Sequence, residues 1–325
     1  MRALMVEALA PDYAGCKLLE LPTPDLKPGE VLVEVRAAAV NFPDLLMTRG
    51  EYQHKPPLPF VLGMELAGVV SRLGEGVTRW KVGDAVVGGS RFGGISDLAV
   101  CAAESLHSKP ERLSFGQAAG FGAAYITAYV SLIRRAEVQP GEWVLVHGAA
   151  GGVGLACVDL AQVLGCRVIA ASASDAKLKV VADEYHPDAV VNVTGGFRDR
   201  IKEITGGAGA DVIYDPVGGE VFDESVRCIA FDGRLLVVGF TSGRIPTISV
   251  NMPLIKGFSV VGVRAGEYGR RFPQKGAEDR AAVWRMADEG RFRPRVGAEF
   301  ALSDWRDALQ SLAERTIIGK AVIVP

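Results

Sequence analysis

The segment HGAAGGVGLACVDLAQVLGCRVIAAS, residues 147–172, constrains the fold more than any other part of the 325-residue chain. It reads as the end of a buried strand (WVLVHG, 143–148), a glycine-rich turn, an apolar helix to Leu164 and a second strand, RVIAAS (167–172). Two parallel strands need such a helical crossover, and a helix leaves its first N–H groups without carbonyl partners. Those amides, with the positive end of the helix dipole, form a ready site for a phosphate. Gly151 lets a pyrophosphate approach the backbone, and Gly154 lets the helix pack closely on the strand. Ala149 stands where the first glycine of GxGxxG falls, so the match is imperfect. The strand–turn–helix–strand setting is nevertheless the one a dinucleotide-binding fingerprint requires. Ala150, Gly151, Gly152, Val153 and Gly154 are the first candidate cofactor contacts.

The end of the second strand bears on which dinucleotide. An NAD site usually places Asp or Glu there, to bind the ribose 2′-hydroxyl. Here Ser172, Ala173 and Ser174 follow the strand, then Asp175 and Lys177. Small hydroxyl residues beside a cation suit a 2′-phosphate, so Ser172, Ser174 and Lys177 favour NADPH, while Asp175 leaves NADH open.

The same rhythm continues downstream. DAKLKVVADE (175–184) reads as a helix, and AVVNV (189–193), DVIYD (211–215) and RLLVVGF (234–240) read as strands with helical patterns between them. Strand and helix in alternation predict an α/β domain, a doubly wound parallel sheet covered on both faces. The first hundred residues differ: VLVEVRAAAV (31–40), ELAGVVSRLG (65–74) and DAVVGG (84–89) are short Val-rich runs ended by glycine turns. A last helix over 303–315 precedes a terminal strand, KAVIVP. Two domains are expected.

Composition excludes several classes. Lys plus Arg is 36 against 38 for Asp plus Glu, a net charge of -2, which gives no electrostatic reason for nucleic acid or an anionic membrane as main partner. Cysteines 16, 101, 157, 166 and 228 are odd in number, with no Cys-x-x-Cys pair, and the four histidines are scattered. That pattern argues against a disulfide framework and a clustered metal site, and for reduced, buried thiols in a cytoplasmic protein. At the N-terminus Glu7 and Asp12 interrupt any signal-like run. Residues 113–133 are uncharged for long enough to span a bilayer, yet three Gly with Ser114, Gln117, Thr127 and Ser131 predict a buried helix instead.

Taken over nearly its whole length, the chain resembles the zinc-independent medium-chain dehydrogenase/reductases, close to the NADPH-dependent quinone oxidoreductases. The resemblance rests on AAGGVG (149–154), NFPDLLMTRGEY (41–52), LPFVLGMELAGVV (58–70), VIYDPVGG (212–219) and the terminal GKAVIVP. It implies a GroES-like, partly open β-barrel substrate domain (1–124 and 266–325) and a Rossmann domain (125–265), with an active-site cleft and a homodimer built on edge strands such as FSVVGV (258–263). In the zinc alcohol dehydrogenases a Cys ligand falls at Asn41 and a His ligand at Met64, and neither replacement is an ordinary zinc ligand. The resemblance thus implies metal-free reduction of quinones and activated double bonds. It assigns Asn41 and Tyr52 to catalysis, Asn41 as hydrogen-bond donor and Tyr52 as proton donor. Thr127, Phe240, Thr241, Val263, Arg264 and Arg315 fall at its cofactor positions. Two departures matter: Leu46 and Val193 stand where the family often has Tyr.

Two other functions share this scaffold. An enoyl- or acrylyl-CoA type thioester reductase would need a basic rim, for which Arg270, Arg271 and Lys275 are candidates. A non-catalytic, crystallin-like NADPH-binding protein is the other.

Overall fold

A computed structural model describes all 325 residues. The chain divides into two compact units, Met1–Gly122 with Pro294–Pro325, and Ala123–Arg293.

The first unit is built on antiparallel β-structure. Its strands are β1 (Arg2–Val6), β2 (Cys16–Glu20), β3 (Glu30–Val40), β4 (Phe60–Val61), β5 (Glu65–Leu73), β6 (Ala85–Gly89), β7 (Leu98–Ala102) and β8 (His107–Ser108). Helix α1 (Phe42–Arg49) follows β3 directly. Helix α2 (Phe115–Tyr129) begins in this unit and ends in the second. The chain returns through β15 (Val296–Ala301), α10 (Trp305–Ala313) and β16 (Lys320–Val324). One sheet runs β15-β16-β3-β5-β6-β8, with β7 also on β3; a smaller one runs β2-β1-β4. The barrel is therefore open. Leu4, Val33, Leu66, Ile95, Leu309 and Ile323 lie in its core, all but out of reach of solvent.

Register within the larger sheet positions the site. Ala39 of β3 pairs with Glu65 of β5, and Val40 pairs with Ala321 of β16. The residues at the end of β3, the start of β5 and the start of β16 thus converge. There β3 stops at Asn41, whose N–H donates to the Asp44 carboxylate (2.8 Å) as α1 begins. Pro43 sits in the first turn, where a missing N–H costs nothing.

The second unit contains β9 (Trp143–Val146), α3 (Gly152–Val163), β10 (Arg167–Ser172), α4 (Asp175–Tyr185), β11 (Ala189–Asn192), α5 (Arg198–Ile204), β12 (Ala210–Asp215), α6 (Gly219–Ser225), β13 (Ile229–Val237), α7 (Asn251–Lys256), β14 (Ser259–Gly262), α8 (Ala265–Arg271) and α9 (Pro273–Asp288). Its six strands are all parallel, in the order β11-β10-β9-β12-β13-β14. The order reverses between β9 and β12, the place where open α/β sheets bind ligands beyond their strand ends. Val144, Leu145 and Val146 are all fully buried, which explains a strand without polar alternation.

Three features depart from or refine the sequence reading. The second unit extends to Arg293, so 266–293 belongs with the parallel sheet rather than with the barrel unit. The cause is α9: its buried Asp279 pairs with Arg134 (2.7 Å) and its Val283 and Met286 are buried. Strand β13 begins at Ile229 and ends at Val237, which leaves Phe240 in the following turn. The apolar 113–133 stretch is α2 running into a π-helical turn, and no helix is long and apolar enough to cross a membrane. Phe121, Ala124 and Tyr125 of α2 are buried, with the Tyr125 hydroxyl donating to Asp159 (2.7 Å).

Candidate active site

In the second unit the residues assigned to the cofactor gather at one edge of the sheet, just beyond the strand ends. After β9, Gly148 adopts a left-handed conformation (φ +59°), and Ala149 N–H bonds Ala171 O (3.0 Å), tying the turn to β10. A Cβ on Gly154 would lie 2.1 Å from Gly148 O, so only glycine lets α3 start this close to the strand. Gly151 is different. It is exposed, its φ of −84° suits any residue, and a Cβ there would meet only Gly148 O, at 3.3 Å, with open space beyond. The turn is thus a cradle that a side chain at 151 would fill. The N–H groups of Gly152, Val153 and Gly154, in the first turn of α3, have no carbonyl within the helix.

Beyond β10, Ser174 caps α4, its Oγ accepting from Lys177 N–H (3.4 Å). Lys177 is half-buried in that first turn, and Ser172 ends the strand half-buried. The Asp175 carboxylate accepts from Asn192 Nδ2 (2.7 Å), so the acid that follows β10 is already engaged.

Beyond β12, the buried Asp215 carboxylate accepts N–H groups from Val217 (2.8 Å) and Gly218 (2.9 Å). Burial raises its pKa, and the two N–H groups oppose that rise. The segment after β13 folds onto this turn: Thr241 N–H donates to Pro216 O (3.1 Å) and Ser242 N–H to Val217 O (2.9 Å), leaving the Phe240 ring partly exposed. Beyond β14, Val263 N–H bonds Val237 O (2.9 Å) and exposed Arg264 precedes α8. Thr127 stands apart, half-buried in α2, its carbonyl accepting from Ser131 Oγ (2.6 Å).

In the first unit, Asn41 sits in a polar cluster. Its Nδ2 donates to Glu65 Oε2 (3.0 Å) and its Oδ1 accepts from Lys320 Nζ (2.5 Å). Lys320 and Glu65 are themselves 3.6 Å apart, and each side chain is only 11% exposed. Asp44 is completely buried; its Oδ2 takes the Asn41 N–H and its Oδ1 has no partner. Burial pushes the Asp44 carboxyl up to about 7, opposed by the Asn41 N–H and the Lys320 ammonium. The sequence reading named Asn41 but missed Asp44, Glu65 and Lys320. Glu65 lies in GMELAG and Lys320 in GKAVIVP, so the signal was present without an assigned role.

Tyr52 is half-buried against the first unit's core, in the stretch after α1. Arg315, just past α10, has left-handed backbone (φ +57°) and is exposed. Met64 precedes β5, and nowhere do three His, Cys, Asp or Glu side chains gather as a metal would need. All five cysteines are unpaired and buried. The basic segment at 266–276 is helical, and Glu267 accepts from both Arg270 (3.1 Å) and Arg271 (3.0 Å), which neutralises much of it.

Comparison with known proteins agrees with both units. Residues 27–133 match the family model for an alcohol dehydrogenase GroES-like domain, and 152–280 that for a zinc-binding dehydrogenase. The chain is 38% identical over 297 residues to quinone oxidoreductase-like protein 2 of Mus musculus, covering 91% of this chain and 85% of that protein. A crystal structure of a probable oxidoreductase from Mycobacterium abscessus superposes with a TM-score of 0.89 at 37% identity, covering 100% of this chain and 99% of the other. Escherichia coli quinone oxidoreductase complexed with NADPH superposes equally well, at a TM-score of 0.89 and 29% identity, with both chains covered in full (100%).

Proposed function

The chain belongs to the quinone oxidoreductase family of the medium-chain dehydrogenase/reductases, and on that premise we propose that it is an NADPH-dependent oxidoreductase, delivering hydride to a quinone or an α,β-unsaturated carbonyl without a protein-bound metal. The observation that carries this reading is the gathering of the glycine turn, the Ser172–Lys177 segment and the Phe240–Arg264 segments at the C-terminal edge of one parallel sheet. When bound, the dinucleotide supplies a hydride from its nicotinamide ring; the protein supplies position and electrostatics.

Each residue then has a task. The free N–H groups of Gly152, Val153 and Gly154 hold the pyrophosphate, with Ala150 and Gly151 giving it room. Lys177, Ser172 and Ser174 receive the 2′-phosphate, and the engagement of Asp175 by Asn192 removes the acid that would favour NADH. Thr127, Phe240, Thr241, Val263, Arg264 and Arg315 complete the cofactor contacts. Asn41 offers a hydrogen bond and Tyr52 holds the proton that the reduced acceptor takes up. Asn41 and Met64 replace the Cys and His of a catalytic zinc, so the acceptor must be electrophilic enough to take hydride unaided. The pairing of Arg270 and Arg271 with Glu267 weakens the case for a coenzyme A rim.

A homodimer is part of the proposal. Strand β14 is the outer edge of its sheet, and beside it Phe231, Val250, Leu254 and Ile255 are exposed, Phe231 and Leu254 by 82% each. An open edge with an apolar border is the kind of surface that a second copy covers. The acceptor is a small molecule, and the unpaired, buried cysteines fit a cytoplasmic protein.

The deciding experiment follows NADPH absorbance with phenanthrenequinone, benzoquinone, a cyclic enone and crotonyl-CoA. Turnover with a quinone or the enone is expected. NADPH binding without turnover of any acceptor would leave a binding protein and refute the enzyme.

A further inference from the structure

The Asn41 cluster has a consequence for what can be bound there. A side-chain amide has two donor hydrogens on nitrogen and an acceptor oxygen; an ammonium only donates, and an ionised carboxylate only accepts. Asn41 lies between one of each. Turned over, the amide would set N–H against the Lys320 ammonium and oxygen against the Glu65 carboxylate, losing both bonds. Its orientation is therefore forced, with the carbonyl turned to the Lys320 ammonium and one Nδ2–H left over.

This arrangement is costly for a fold alone. Two opposite charges, each 11% exposed, must be stripped of most of their water, and an apolar pair would serve packing as well or better. The surroundings also make room for it. A Cβ on Gly120 in α2 would stand 3.1 Å from both Cβ and Cγ of Lys320, so the glycine leaves space for the lysine stem. Sheet register does the rest, by bringing the starts of β5 and β16 to the end of β3.

We propose that Lys320 and Glu65 are positioning residues that lock the Asn41 amide so that it presents a donor N–H, and that this N–H recognises an acceptor oxygen of the bound molecules, a carbonyl or a ribose oxygen. The inference rests on the proposed role of Asn41 in the oxidoreductase site.

The chain has three asparagines, Asn41, Asn192 and Asn251, so protein labelled with ¹⁵N on asparagine gives three side-chain amide signals, and Asn41→Ser identifies the one of interest. The probes are the cofactor-free protein, NADPH, and turnover with phenanthrenequinone. In Lys320→Met, hydrogen exchange and rotation of the Asn41 amide should speed up about tenfold or more, the worth of a hydrogen bond to a charged group. The kcat/KM should fall by a similar factor, about tenfold. Glu65→Gln, which keeps an acceptor oxygen, should retain most of the lock and the activity, while Glu65→Leu should lose both. An Asn41 amide that exchanges in Lys320→Met as in the parent, with kcat/KM unchanged, overturns the proposal. If the amide loosens in Lys320→Met but NADPH leaves its signal unmoved and nothing is turned over, the lock stands. The oxidoreductase reading and the recognition it serves then fail.

Discussion

Asp44 lends itself to a quantitative test. Its carboxyl is fully buried, one oxygen accepts the Asn41 N–H, the other has no partner, and its pKa is raised from 3.8 to about 7. The raised folded-state value means that the native protein keeps a proton that the unfolded chain has released. Stability is therefore fully present below about 3.8, falls as pH rises, and has lost the whole contribution above about 7. The slope is about 1.4 kcal/mol per pH unit, so some 3 kcal/mol disappears between pH 5 and 8. Asp44→Asn keeps the shape and an acceptor for the Asn41 N–H, but does not titrate. Its unpaired Nδ2 hydrogens cost about 1–3 kcal/mol at every pH. Relative to the parent, the variant should gain about 3 kcal/mol on going from pH 5 to 8, roughly 6–12 °C in Tm for a unit of this size. Urea and thermal unfolding of both proteins across that range measure the difference, in which all other titrating groups cancel. A stability difference that is the same at pH 5 and pH 8 would refute the reasoning, because Asp44 would then be ionised throughout and sustained by Lys320.

His147 is fully buried, Nε2 bonded to Ser225 Oγ (2.9 Å), and its pKa falls from 6.5 to about 3. The native state refuses a proton the unfolded chain accepts, so His147→Gln should abolish a loss of about 3 kcal/mol between pH 6 and 4, read by urea titration; an unchanged loss would mean that His147 protonates in the fold. Over that range the Asp44 and His147 slopes oppose each other, so the parent's own profile conceals both. Gly151→Val should leave thermal stability near the parent's while abolishing NADPH binding, and Gly154→Val should unfold the second unit, since its Cβ would lie 2.1 Å from Gly148 O; full NADPH affinity in Gly151→Val misplaces the cradle. Lys177→Ala should weaken NADPH by about tenfold more than NADH, the worth of a charge-assisted bond to phosphate, and equal losses in fluorescence titration would remove Lys177 from the 2′-phosphate. Leu254→Glu should shift the protein to monomer in sedimentation if the β14 border is covered by a second copy; an unchanged mass puts any dimer elsewhere.

What the chain disclosed in advance follows from how far each signal reaches along it. The turn from Gly148 to Gly154 and the apolar runs 143–146 and 167–172 are local: turn chemistry and side-chain periodicity are complete within a few residues, and the structure has the strands and helix where they say. Boundaries that depend on tertiary partners were less legible. The segment 266–293 joins the second unit because Arg134 meets Asp279, a pairing across 145 residues that no window on the sequence contains. The Asn41 cluster is the extreme case. Glu65 is 24 residues and Lys320 is 279 residues from Asn41, and they meet only because β16 and β5 flank β3 in a particular register. A shift of that register by one residue would turn alternate side chains to the opposite face and dismantle the lock. The buried apolar run that fixes β3 in the core therefore also fixes the orientation of one amide, and the recognition proposed for this site is a property of sheet pairing before it is a property of any single residue.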